Sequence, residues 1–437
     1  MKRAVIGLGV AIVAISAGAE DSARMEALER RVEQLEAELV QERIEDAKDK
    51  RLEEASWTDR IRLSGSAEIG HYDGQENALT HDAGYQVWDA RVFLDAELAE
   101  DIRFGSSPLV RNIGFTGEWN LVRLGEVQND VGDLYVDLQG IVGSSWLNLR
   151  PGRFQAPVGE AYKRYSRGTP RNPFISNTVG GPWWWDEGVM LYGASGEGLL
   201  GYVASLTDGE TPFGYDDGSG EQATLKLWTQ PLEWLYLSVS GLHTGEIGDG
   251  TGALWLGETW PIPIGSDTDI PTYANGIEQA DATGGFERSW LAGGDVVITP
   301  TDWLRLWLGY GRYQLDAQAG TAYDRTLHYG IAELVVGGSL LGPAFAPGYV
   351  GVRADTLGTF DSGEGFLLDY GYGNTLGYDM ESLWAYSAVV GWKLGSFTTL
   401  RAEYSLRDID LVRGAPASLR EEAGDADTFA VELGIEF

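Results

Sequence analysis

The chain has no cysteine, and only four histidines and four methionines in 437 residues. Without thiols it forms no disulfide, no thiolate metal site and no cysteine nucleophile. Positive charge is also scarce: 32 Lys and Arg stand against 66 Asp and Glu, a formal net charge of −34. That balance argues against nucleic acid as a partner, because phosphate backbones are held by clustered Lys and Arg. Glycine and aromatic residues are plentiful instead, with 60 Gly, 16 Trp, 20 Tyr and 13 Phe. Together they suggest many strands joined by many turns.

The start of the chain reads as an address label. Lys2 and Arg3 precede the apolar stretch "AVIGLGVAIVAIS", and Ala17-Gly18-Ala19 has the small-residue pattern of a cleavage site. Residues 1–19 are therefore expected to be a signal peptide, with the mature chain beginning at Glu20. The segment 20–56 is expected to be a periplasmic helix. Met25, Leu28, Val32, Leu35 and Leu39 recur at steps of three and four, a short coiled-coil seam that loses register at Glu42 and Asp46. A solvated spacer helix fits the same residues.

From Trp57 to Phe437 the period changes to strict alternation. Ile61, Leu63, Ala67 and Ile69 share one face while Arg62, Ser64, Ser66 and Glu68 share the other. In "VWDARVFLDAEL", Trp88, Ala90, Val92 and Leu94 oppose Asp89, Arg91 and Asp95. The same rhythm sets Leu304, Leu306, Leu308 and Tyr310 against Arg305, and Leu400, Ala402, Tyr404 and Leu406 against Arg401, Glu403 and Arg407. Several runs last ten to twelve residues, longer than the strands of a soluble sandwich and long enough to cross a bilayer. Hydrocarbon leaves no backbone polar group a solvent partner, so such strands must close on themselves. The expected fold is all-β: a closed antiparallel transmembrane barrel of about sixteen strands over 57–437.

"GPWWWDEG" fits that expectation. Trp183, Trp184 and Trp185 would sit where hydrocarbon meets headgroups, as part of an aromatic girdle with Trp57, Trp228, Trp234, Trp303 and Trp392. A buried aromatic cluster under a loop is the competing arrangement. The final strand, "TFAVELGIEF", ends on Phe437, similar to the C-terminal signal read by the outer-membrane assembly machinery of Gram-negative bacteria.

Four stretches in order, "VGDLYVDLQG", "LRPGRFQAPVG", "WDEGVMLYG" and "GYVASLTDGETP", together with the helical preface and Phe437, resemble the phosphate-selective porin O/P family of outer-membrane channels. The Gly-x-Phe-x-x-Pro-x-Gly pattern of that family is met by Gly152, Phe154, Pro157 and Gly159. The resemblance implies a 16-stranded barrel, a homotrimer, and passive passage of small hydrophilic solutes with a preference for anions such as phosphate. A non-specific or cation-preferring diffusion pore stands beside it as the alternative.

Charge patterning bears on that choice. Residues 150–171 hold Arg150, Arg153, Lys163, Arg164, Arg167 and Arg171 against Glu160 alone, a local inversion of sign. Folded into the lumen, this stretch would make a basic, anion-binding constriction. Left at the surface, it would touch lipopolysaccharide phosphates or neighbouring acids. The face expected to line the lumen carries both signs, Arg62, Arg91, Arg305, Arg353 and Arg401 with Glu68, Asp95 and Glu403. Opposed rows of that kind give a transverse field that orders polar solutes without strongly choosing an ion.

The remaining classes find little support. His71, His81, His243 and His328 lie near no G-x-S-x-G elbow or H-E-x-x-H helix, so no catalytic residues, cofactor or enzymatic activity are expected. The acidic stretches 214–221, 245–252, 265–270 and 421–427 read as loops, and none keeps the ligand spacing of an EF-hand, so no metal site is assigned. A structural tether using the helix would need a wall-binding module, and none is visible.

Overall fold

The computed structural model describes residues 60–74, 84–123, 126–164, 172–179, 185–196, 198–208, 221–245, 286–317, 325–359, 380–411 and 426–437. The expected signal peptide and coiled-coil helix lie outside the described residues, as do Trp57, Trp183, Trp184, Arg167, Arg171 and the side chain of Arg164.

Among the described residues sixteen strands form: β1 (Ile61–Gly74), β2 (Gly84–Phe104), β3 (Ser107–Arg123), β4 (Glu126–Gln139), β5 (Asn148–Gln155), β6 (Trp185–Ala194), β7 (Leu200–Thr207) and β8 (Gln222–Leu232). They continue with β9 (Leu235–Thr244), β10 (Phe286–Thr301), β11 (Leu304–Ala317), β12 (Arg325–Gly337), β13 (Gly348–Gly358), β14 (Met380–Lys393), β15 (Thr398–Leu411) and β16 (Ala426–Glu436). Each pairs antiparallel with its neighbour in sequence, and β16 returns to β1, which closes the barrel. At the seam the Gly65 and Phe437 amides each donate to the other's carbonyl, at 2.8 and 3.0 Å. The Phe437 ring lies so close over Gly65 that a Cβ there would come within 2.6 Å of it. Glycine at 65 thus makes room for the terminal ring, which stands exposed on the outer surface.

The barrel is apolar outside and polar inside. Leu63 and Leu206 are each 66 % exposed and Val239 is 60 % exposed, whereas Lys226 is 1 %, Arg353 3 % and Glu432 0 %. A soluble domain has the opposite arrangement, so this wall is suited to lipid outside and polar contacts within. Sixteen strands also enclose more width than wall side chains alone can fill. At one end most strands are joined by tight turns, the connections 140–147 and 338–347 being longer. Gly105, at φ 63°, takes the left-handed conformation that the turn between β2 and β3 requires. At the other end most connections are longer, the longest running from 245 to 285, although β3 and β4 are only two residues apart. At or beside the tight turns Phe104, Trp146, Trp234, Phe345, Trp392 and Phe397 are exposed, an aromatic rim at that end.

Three tryptophans depart from the expected girdle or outward row. The pairing of β1 with β2 shifts between Glu68 and Ile69, opposite Asp89 and Val87, so Trp88 occupies a bulge. Its ring turns inward onto Tyr72, with centroids 5.1 Å apart, beside Ile175 and Ala430. One extra residue reverses the parity of a strand, and the simple alternation could not reveal it. Trp228 shares the inward parity of Lys226 and stacks on Tyr236 at 6.0 Å. Trp185 is a correction to the interface assignment: it is fully buried and packs against Tyr162. Its position explains this, because it opens β6 opposite Gln155, where the chain returns from inside the barrel.

Candidate functional site

The connection between β5 and β6 does not stay with the wall. At Gly152, φ is +129° and an added Cβ would lie 2.3 Å from the Leu134 carbonyl, so only glycine fits against β4 there. Phe154, Ala156, Pro157 and Val158 then run inward and are buried. Gly159, at φ 65°, turns the chain. Its N–H donates to Ser240 Oγ of β9 at 2.9 Å, and its carbonyl accepts from Lys226 Nζ of β8. The Gly-x-Phe-x-x-Pro-x-Gly pattern is therefore the device that takes the backbone off the wall and into the lumen.

One buried carboxylate holds this first half. Glu160 lies 2.5 Å from Lys226 Nζ and 2.7 Å from Lys163 Nζ, and accepts from Tyr236 Oη at 2.6 Å and Ser238 Oγ at 3.3 Å. Burial alone would raise its carboxyl, but the two ammonium groups outweigh burial and hold it at about 2. Lys163 also sits over the Tyr236 ring at 4.7 Å.

The second half, 172–179, is held differently. It has no regular secondary structure beyond one bridge residue, and several of its backbone groups are served by inward side chains of β13 and β15. The Glu403 carboxylate accepts from the N–H groups of Ile175 and Ser176 and from the Ser176 hydroxyl. Arg353 donates to the Ser176 and Asn177 carbonyls at 3.0 and 2.7 Å and lies over the Phe174 ring. Arg401 donates to the Asn172 and Phe174 carbonyls at 2.8 and 3.0 Å while pairing with Glu68 and Glu432. Val179 N–H donates to Asp355 at 2.5 Å, and Tyr349 Oη donates to the Pro173 carbonyl at 2.7 Å. A segment leaving β5, touching β8 and β9, then β13 and β15, then returning to β6 crosses the interior.

The expected constriction residues separate. Arg150 and Arg153 belong to β5 itself, not to the crossing segment. Arg150 pairs with Asp137 at 3.1 Å and lies over the Tyr135 ring at 4.1 Å. Arg153 donates to the Val131 carbonyl at 3.0 Å and is 3.7 Å from Glu187. Lys163 is on the segment, paired with Glu160. Of the expected lumen residues, Arg91 pairs with Asp89 at 2.6 Å and Glu118 at 3.3 Å. Asp95 accepts from Thr116 Oγ1 at 3.2 Å, Arg62 stands opposite Asp95 near the tight-turn end, and Arg305 shares the inward parity of Trp307. Arg353, Arg401, Glu68 and Glu403 are gathered at the second anchor.

The Lys226–Glu160 pair and the anchoring role of Arg353 and Glu403 were missed by sequence reasoning. The available signal was "NPFISNTVG", an uncharged stretch of 172–180 without strand alternation that needs buried partners.

No family model and no curated protein matches the sequence. Solved structures do resemble the barrel. The outer-membrane channel DcaP of Acinetobacter baumannii superposes with a TM-score of 0.53 at 11 % identity, covering 86 % of this chain and 97 % of that one. OprB of Pseudomonas putida gives 0.53 at 14 %, covering 90 % and 97 %. OmpT of Vibrio cholerae, an outer membrane protein in a trimer form, gives 0.52 at 11 %, covering 86 % and 99 %. The barrel shares its fold with outer-membrane proteins. At these identities the likeness concerns architecture, and the chemistry of this lumen has to be argued from its own residues.

Proposed function

We propose that the chain is an outer-membrane porin through which small hydrophilic solutes diffuse passively, without catalysis or cofactor. The observation that carries the reading is a closed barrel with an apolar exterior, crossed internally by a segment anchored at two walls. Such a segment narrows a water-filled path and sets a size limit. On this reading residues 1–19 direct export, 20–56 form a periplasmic helix, and 57–437 form the barrel. It works as a homotrimer surrounded by lipopolysaccharide, with Phe437 read by the assembly machinery. The exposed aromatic rim at the tight-turn end supports a membrane boundary there.

Membership of the phosphate-selective porin O/P type and a preference for anions such as phosphate belong to the same proposal. Their support is the composition of 150–171. The pairing of Arg150, Arg153 and Lys163 with Asp137, Glu187 and Glu160 limits how much positive field those three project. With Arg164, Arg167 and Arg171 they make up the proposed anion-binding set, and the expected size of the preference is modest. Reversal potentials of single channels in a salt gradient test this. Anion preference that disappears when Arg164, Arg167 and Arg171 become Glu supports it. Cation preference in the parent removes the anion reading and leaves the pore, and absence of any conductance from folded protein removes the pore.

A further inference from the structure

On the outer wall the side chains of β11 change character with height. Reading from the tight turn, the outward residues are Leu304, Leu306, Leu308, Tyr310, Arg312, Gln314 and Asp316. Three leucines suit hydrocarbon, Tyr310 suits its boundary, and Arg312 is the first charge above it. Arg312 is exposed and lies over the Trp290 ring of β10 at 5.7 Å, with Gln314 at 3.5 Å. Among the described residues no carboxylate is within ion-pair distance of it. The nearby Arg288 is different, because Asp316 accepts from it at 2.6 Å. Across the strand pair His328 faces Arg312 in register, and its Nδ1 is 2.6 Å from Tyr310 Oη.

Below His328 the outward residues of β12 become small, Gly330 then Ala332. They lead into an apolar hollow of about 550 Å³ on the outer wall, bordered by Leu306, Ala332, Leu334, Val352, Tyr386 and Tyr404. The hollow alone names no occupant. A cation that, among the described residues, has no carboxylate partner, flanked by an indole and a phenol and set higher on the same strands, does so by charge complementarity. In a chain with twice as many acids as bases, an outward arginine of this kind is a place where an anion is welcome.

We propose that this face binds one anionic lipid of the surrounding leaflet, its headgroup phosphate at Arg312 and His328 and an acyl chain in the hollow. The inference rests on the membrane-spanning reading above. Trp290 and Tyr310 frame the headgroup, and the guanidinium supplies paired N–H donors to phosphate oxygens.

The test uses the full folded chain in detergent, with folding checked by heat-dependent electrophoretic mobility. Native mass spectrometry counts bound phosphatidic acid, phosphatidylcholine of the same chains, and inorganic phosphate. Phosphatidic acid is expected to bind at least about tenfold more tightly than phosphatidylcholine, in keeping with a charge-assisted contact. Arg312→Gln should abolish that preference, Arg312→Lys should retain most of it, and Ala332→Trp should weaken both lipids by filling the hollow. The proposal is overturned if folded Arg312→Gln keeps the preference, or if inorganic phosphate at equal concentration competes as well as the lipid. Loss of oligomer on cross-linking of Arg312→Gln, with lipid binding unchanged, overturns it in favour of an interface between copies. Bilayer conductance of the parent separates the readings: its absence sinks the porin while lipid binding can still be scored.

Discussion

The two halves of the crossing segment are held by opposite strategies. Residues 156–163 depend on one carboxylate, Glu160, that gathers two ammonium groups and two hydroxyls from β8, β9 and the segment itself. Residues 172–179 depend on several side chains, each taking one or two backbone groups. A concentrated anchor leaves a buried charge alone when it is cut, whereas a distributed one loses a single bond at a time. The first half should be fragile to point changes and the second tolerant.

The sharpest way to break this contrast is Glu160→Ala, which strands Lys226 in a site where it is 1 % exposed. Removal of one partner of a buried pair costs about 3–5 kcal/mol, so the first half should detach, read as a several-fold change in single-channel conductance. Glu160→Gln combined with Lys226→Met removes both charges and should recover most of the parental behaviour. Equal effects of the single and double variants would show that the pair is not the anchor.

Acid probes the same half. Because Glu160 is held at about 2 from an ordinary value of 4.5, its contribution is complete above about pH 4.5 and fades as pH falls toward 2. The shift corresponds to on the order of 3 kcal/mol. The difference in thermal midpoint between the parent and Glu160→Gln should therefore be constant above pH 4.5 and shrink below it. A difference that grows on acidification contradicts the assigned sign.

In the second half, Glu403→Gln keeps the shape of the acceptor but loses its charge toward the Ile175 and Ser176 amides. The expected cost is about 1.5–3 kcal/mol, measured as a lower thermal midpoint and noisier open-channel current, with the segment still in place. Smallest of all is Ser176→Ala, which removes one hydroxyl between Arg353 and Glu403 at about 0.5–1.5 kcal/mol, with mean conductance unchanged. If Ser176→Ala opened the pore as widely as Glu160→Ala, the distinction between the halves would fail.

Much of the barrel was legible because lipid outside and polar contacts inside impose a period of two on every strand. That pattern marked the outward leucines of β11 and the inward parity of Arg353, Arg401 and Glu403. It misplaced Trp88, where a bulge adds one residue, while Trp228 was misplaced by the girdle assignment, since alternation gives it the inward parity of Lys226. Trp185 was assigned to a membrane boundary, whereas its ring is buried against Tyr162 of the first half of the segment. The basic stretch 150–171 was visible as a run of charge. Its partners were not, since Asp137, Glu187 and Lys226 come from other strands.

Residue order alone determined that these strands need two different surroundings and that the sheet must close, since side-chain alternation is a local property and hydrocarbon leaves no backbone group unpaired. Where 156–163 and 172–179 run, and which cation meets which acid, were decided only by the tertiary structure. Those pairings join residues far apart in the chain, and it is closure of the wall that brings them within a hydrogen bond of one another.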